Sequence, residues 1–245
     1  MSSARDRIFG ALRRGLGRGP EDGKAQAAVN ARLSAMARNL VPQRAQVPHA
    51  QQVKLFIEKI TALTVTVQRV PSPAAVPDAV ADYLVLHNLP TEIRMAPHEA
   101  LRGLPWQRRP LLHLSEGPGR VSDLVSLTPA FAGIAETGTL MLHSGPQNPT
   151  TLHFTPDNHI VVLRASQVMG SMEDAFGKLR AQVGGADHWP RTVNMVTGPS
   201  RTADIEGVPV LGAHGPRRLH VVLIEDVAPE AMPEAAADAA ETQQP

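Results

Sequence analysis

No apolar run in this sequence exceeds about four residues, so its core must be assembled from short strands and one-sided helices. HIVVL at 159–163 and HVVLI at 220–224 are strand-like and far shorter than the ~20 residues a membrane helix needs, so no membrane span is expected. TALTVTVQRV at 61–70 alternates Leu63, Val65 and Val67 with Thr64, Thr66 and Gln68, the period of a half-buried strand.

Helical spacing dominates the beginning. Ile8, Phe9, Leu12 and Leu16 fall on one face, and Ser3 with Asp6 three residues later resembles a capping arrangement. The opening segment is Arg-rich but lacks the apolar region of a secretory signal, so a surface helix docking on the domain or on another subunit is expected. Further helices are predicted over 24–40 and 48–60, the latter with Val53, Phe56, Ile57 and Ile60 on its apolar face. Pro71, Pro73 and Pro77 lead into a helix ending near His87, and EIRMA at 92–96 suggests a strand.

From 105 the pattern is strand-rich. LLHLSE, TGTLMLHSG, TTLHF and HIVVLRA have strand character, and Thr128-Pro129 is a sensible cap and first turn for a helix over TPAFAGIAE. The turn Thr155-Pro156-Asp157-Asn158 predicts a hairpin between 151–154 and 159–163. A helix over 171–182, a strand over 192–196, a short helix over 200–206 and a strand over 219–224 follow. This order predicts an α/β fold with a mostly parallel sheet and an antiparallel patch. The expected organisation is an N-terminal helical region at 1–60, an α/β domain at 61–227 and an acidic disordered tail at 228–245.

Composition narrows the chemistry. With no Cys there is no disulfide, thiolate nucleophile, Cys-bound zinc or thiolate-held cluster. Residues 1–50 carry nine basic groups against three acidic ones, and the last 21 residues carry six acids and no base. A balanced centre with oppositely charged ends argues against a nucleic-acid face on the core and for ends that meet a partner or each other.

Three segments hold candidate functional groups. Glu136-Thr137-Gly138-Thr139 joins a carboxylate, which could be a base or nucleophile, to two hydroxyls around a glycine; a plain turn is the alternative. Thr197-Gly198-Pro199-Ser200-Arg201-Thr202-Ala203-Asp204 follows a strand and, if it opens a helix, offers backbone N–H groups and a guanidinium to an anion. Capping alone would equally account for Asp204 and Glu206. In Gly212-Ala213-His214-Gly215 the glycines let the backbone approach a ligand, and His214 could titrate near neutrality. The spacing of the ten His residues does not suggest a metal site.

Taken together, GIAETGTLML at 133–142, TGPSRTADIE at 197–206 and LGAHGPRRLHVVLIED at 211–226 resemble the lactate utilization protein C family, or LUD domain, and SSARDRIFGALR resembles its N-terminal helix. The resemblance implies a Rossmann-like α/β fold related to sugar-phosphate isomerases, CoA-transferases and formyltetrahydrofolate cycloligases. It implies a bacterial cytoplasmic protein that takes part in oxidising L-lactate to pyruvate with iron–sulfur partners, this chain being the cluster-free member. A small anionic ligand is expected in the crevice at the strand carboxyl ends, with Glu136 and His214 as catalytic candidates and Thr137, Gly138, Thr139, Thr197, Gly198, Ser200, Arg201, Thr202, Asp204 and Gly215 as binding candidates. A stand-alone enzyme or binder acting on a phosphate, carboxylate or CoA thioester through Glu136 is the alternative, and self-association is left open.

Overall fold

The computed structural model describes residues 3–17, 23–35, 38–184, 188–205 and 208–227, with the side chains of 203–205 and 208–209 left aside. Two compact units divide at Leu40. The first contains α1 (Ala4–Gly15) and α2 (Gly23–Ala35). Ser3 caps α1 as the sequence suggests, its hydroxyl accepting the Asp6 N–H while the Asp6 carboxylate accepts the Ser3 N–H.

The second unit runs, with short 3-10 turns between, through α3 (His49–Thr61), β1 (Thr66–Val70), α4 (Val76–Leu86), β2 (Glu92–Met95), α5 (Glu99–Arg102), β3 (His113–Glu116), β4 (Val125–Pro129), β5 (Ala132–Ile134), β6 (Thr139–His143), α6 (Thr151–Phe154), β7 (Asn158–Arg164), β8 (Val168–Met169), α7 (Met172–Val183), β9 (Val193–Val196), β10 (Arg201–Ile205), β11 (Val208–Leu211) and β12 (Arg218–Ile224). A six-stranded sheet of order β1-β12-β7-β4-β2-β3 is parallel throughout. A smaller mixed sheet of order β8-β5-β6-β9 is the antiparallel patch, and β10 pairs with β11.

Period two explains how the central strands serve both faces. Ile160 and Val162 of β7, with Val222 and Ile224 of β12, join the Val80, Leu84 and Leu101 side chains of α4 and α5. Val161, Leu163, Val221 and Leu223 point the other way and meet Phe56 and Ile60 of α3 and Leu140 and Leu142 of β6. The far side of the small sheet packs Ile134 and Met141 on Ala175 and Leu179 of α7. Helix α3, grouped by sequence with the N-terminal helices, is therefore a core element of the second unit. Covering both faces of a parallel sheet is what makes β4, β7 and β12 almost uniformly buried.

Four local expectations are corrected. The segment 128–136 is not a helix: Thr128 ends up buried in β4 with its hydroxyl 2.7 Å from His159 Nε2, and β5 follows directly. There is no hairpin at 151–163, because 151–154 form a single helical turn and β7 lies between the parallel β4 and β12. Residues 201–205 form a strand against β11 rather than a helix; Glu206 and the acidic tail from 228 lie outside the described residues. The strand predicted from 61 begins at Thr66, since α3 continues to Thr61 and Thr64 turns the chain at a φ of 65°.

Candidate functional site

The candidate residues gather around the end of α3 and the turn after it. Gly138 stands in the β5–β6 turn at a φ of 67°, where an added Cβ would lie 2.5 Å from the Ile60 backbone nitrogen. This close approach brings Thr137, Thr139 and Thr197 into one chain of hydroxyls, with Oγ1 separations of 2.7 and 2.9 Å. The chain ties the start of β6 to the residue after β9, so Thr197→Val should cost about 1 kcal/mol of stability. Urea unfolding measures this, and an unchanged midpoint would count against the link.

Beyond Thr197, Gly198 lies beside Leu63 and the Arg201 guanidinium donates to the Thr64 hydroxyl. The Ser200 N–H donates to the Pro216 carbonyl at 2.8 Å, and the His214 N–H donates to the Ser200 hydroxyl at 3.1 Å. Gly215 lies next to Ser200 and Phe154. The His214 ring is exposed, Thr202 pairs with Val210 in the hairpin, and Asp204 belongs to β10. Glu136 faces a different neighbour: its Oε1 accepts the Met172 N–H at 2.8 Å, at the start of α7, a favourable place for a carboxylate.

This band is not at the strand carboxyl ends. Thr64 precedes β1, Arg217 precedes β12, and the Arg217 N–H donates at 2.8 Å to the carbonyl of Asp157, which precedes β7. The turn 197–202 lies at the amino edge of the parallel sheet because β9, which feeds it, belongs to the small sheet.

The carboxyl ends hold another arrangement. Pro129, Arg164 and Ile224, the last residues of β4, β7 and β12, line an open cleft of about 210 Å³ with His98, His143 and Lys178. In parallel α/β sheets ligands bind outside the carboxyl ends of the strands. Phe131 organises the wall: the His143 ring meets it edge-on at 5.3 Å and the Lys178 ammonium stands 5.4 Å from its centroid. Arg164 Nη1 is 3.7 Å from Asp226, whose carboxylate is engaged by the Ser166 N–H and hydroxyl. Burial, and then the neighbouring His143, hold His98 below the ordinary imidazole value. Two fixed cations and two imidazoles over an apolar floor suit a small carboxylate. Among the described residues no group of three or more His, Asp or Glu side chains is placed to hold a metal ion.

Sequence reasoning expected a ligand crevice at the strand carboxyl ends but named none of the residues that line this cleft. Its signal was the polar residue at or shortly after the end of a buried strand, Arg164 closing β7 and His98 three residues beyond β2.

Residues 124–224 match the LUD domain. The chain is 34% identical over 93 residues to lactate utilization protein C of Geobacillus thermodenitrificans, covering 38% of this chain and 39% of that one. It is 37% identical over 99 residues to lactate utilization protein C of Deinococcus radiodurans, covering 40% and 45%. It is 31% identical over 102 residues to the uncharacterized protein YkgG of Escherichia coli, covering 42% and 44%. The matches thus span less than half of these curated relatives. A crystal structure of a DUF162 family protein from Deinococcus radiodurans superposes with a TM-score of 0.55 at 24% identity, over 73% of this chain and 99% of that one, which shows a shared fold.

Proposed function

We propose that this chain, whose residues 124–224 are a LUD domain, is a component of an L-lactate utilization system that holds a small carboxylate in the cleft at the strand carboxyl ends. The observation that carries the reading is the overlap of the two: Phe131, His143, Arg164 and Lys178 line the cleft and all lie inside residues 124–224, the segment that matches the LUD domain. The family resemblance implies iron–sulfur partner proteins as the acceptors of lactate's electrons, and a sequence without Cys agrees with a cluster-free member. The role of this subunit is to bind the acid and present it. Among the described residues no helix is long and apolar enough to cross a membrane.

Deleting the gene should stop growth on L-lactate while leaving growth on glucose intact, and the tagged protein should co-purify with iron–sulfur proteins. Normal lactate oxidation in a clean deletion overturns the reading. Arg164→Gln should weaken carboxylate binding at least about tenfold, since a charge-assisted pair is lost. Glu136→Gln should leave it unchanged. An acyl group trapped by hydroxylamine at Glu136 would instead favour chemistry at the β5–β6 turn.

A further inference from the structure

We propose that α1 (Ala4–Gly15) lays its apolar face into the surface of an anionic phospholipid bilayer, holding the protein at a membrane that it does not cross. This attachment is independent of what the cleft binds.

At about 100° per residue, Ile8, Leu12, Leu16 at the carboxyl cap and Phe9 fall in one arc of about 100°. Their exposures are 61%, 54%, 65% and 45%, and no residue of α1 is buried. Four arginines, Arg5, Arg7, Arg13 and Arg14, share the helix with a single acid, Asp6. That acid is engaged at the amino end, where its carboxylate accepts the Ser3 N–H at 3.0 Å and the Ser3 hydroxyl at 2.8 Å. Arg13 borders the arc beside Phe9. Arg5 stands over the Phe9 ring, 5.6 Å from its centroid, so its guanidinium stays at headgroup level while the ring goes beneath it. An apolar stripe edged by guanidinium groups fits a surface that carries phosphate above and hydrocarbon below.

Two nearer occupants fit less well. A second copy of α1 would set arginines against arginines. Residues 228–245 of the same chain answer the positive charge, but Met232 is their one large apolar side chain, too little to cover Ile8, Phe9, Leu12 and Leu16. With 12 residues at ~1.5 Å each the helix is about 18 Å long, short of the ~30 Å hydrocarbon core, so it lies in the plane of the interface.

Co-sedimentation of the full chain with lipid vesicles tests the proposal. Vesicles with about 30% phosphatidylserine should bind it at least about tenfold more strongly than pure phosphatidylcholine, and about 0.5 M salt should remove most of that preference. The double variant Phe9→Gln, Leu12→Gln keeps good helix formers at exposed positions, so its thermal midpoint should hold while its vesicle binding drops about tenfold. Because the chain has no Cys, Leu16→Cys takes a single environment-sensitive dye, whose emission should shift to the blue with the anionic vesicles. Equal binding to the two kinds of vesicle, or undiminished binding by the double variant, overturns the proposal. A dye shift with polyglutamate as large as that with vesicles assigns the face to an acidic protein and overturns it as well.

Discussion

Unfolding free energy falls by about 3 kcal/mol for each of two histidines, His153 and His220, as the pH drops from 7 to 4. Both rings are buried, at 1% and 4% exposure, and both are held at about 4 in the fold. For His153 the cause is burial and then the charge of His143. For His220 it is burial and then His87, partly opposed by the contact with Thr66. The unfolded chain protonates these imidazoles near ~6.5, so between 6.5 and 4 it binds more protons than the native state. Their stabilisation is complete above 6.5 and is lost as the pH falls through that window. His159, wholly buried, is pushed well below the usual value by burial and by His153, and adds in the same direction. Urea denaturation at half-unit steps from pH 7.5 to 4 reads the slope. His220→Phe keeps a ring stacked on Tyr83, which lies 4.2 Å from His220, and should flatten the slope by about one proton. A stability constant over this range, apart from the carboxylates titrating below it, would contradict the burial of neutral rings.

Gly138→Ala is expected to cost about 3 kcal/mol. An alanine at a φ of 67° is strained, and here its Cβ also meets backbone rather than a movable side chain, 2.5 Å from the Ile60 nitrogen and 2.7 Å from the Lys59 carbonyl carbon. The β5–β6 turn must lift off α3, which also pulls Thr137 and Thr139 away from Thr197. Gly145→Ala is the control, since nothing lies within 4 Å of its added Cβ. Equal thermal midpoints for the two variants would show that the turn yields freely and that the close approach does not matter.

Much of the fold was legible where one periodicity is unambiguous. Alternation announces β1, the apolar face announces α3, Pro71, Pro73 and Pro77 mark the entry to α4, and short β-branched runs announce β7 and β12. The failures share a cause, which is burial on both sides or a very short length. Val125–Ile134 is buried at every position but Phe131, polar residues included, so its pattern carries no period, and Thr128-Pro129 supplies a false helix start. Arg201–Ile205 is polar enough to imitate a capped first turn, yet it is a strand because it pairs with β11. The family motif was visible as residues, and its hydroxyls do meet at the end of α3. Its position relative to the sheet was not visible, because that depends on β9 joining the small sheet rather than the large one. The cleft was harder still: His98, His143, Arg164 and Lys178 come from four separate elements, and only the assembled strand order makes them neighbours.

The place of β12 between β1 and β7 has a consequence for synthesis on the ribosome. Thr66 pairs with His220, and Asn158 with Arg218, so the last described strand is the wedge that joins the first strand to the middle of the sheet. Until residue 224 has left the exit tunnel, β1 has no partner and β7 offers an open edge of buried aliphatic residues. A sheet whose first strand waits for β12 is rich in non-local pairs, which slows folding.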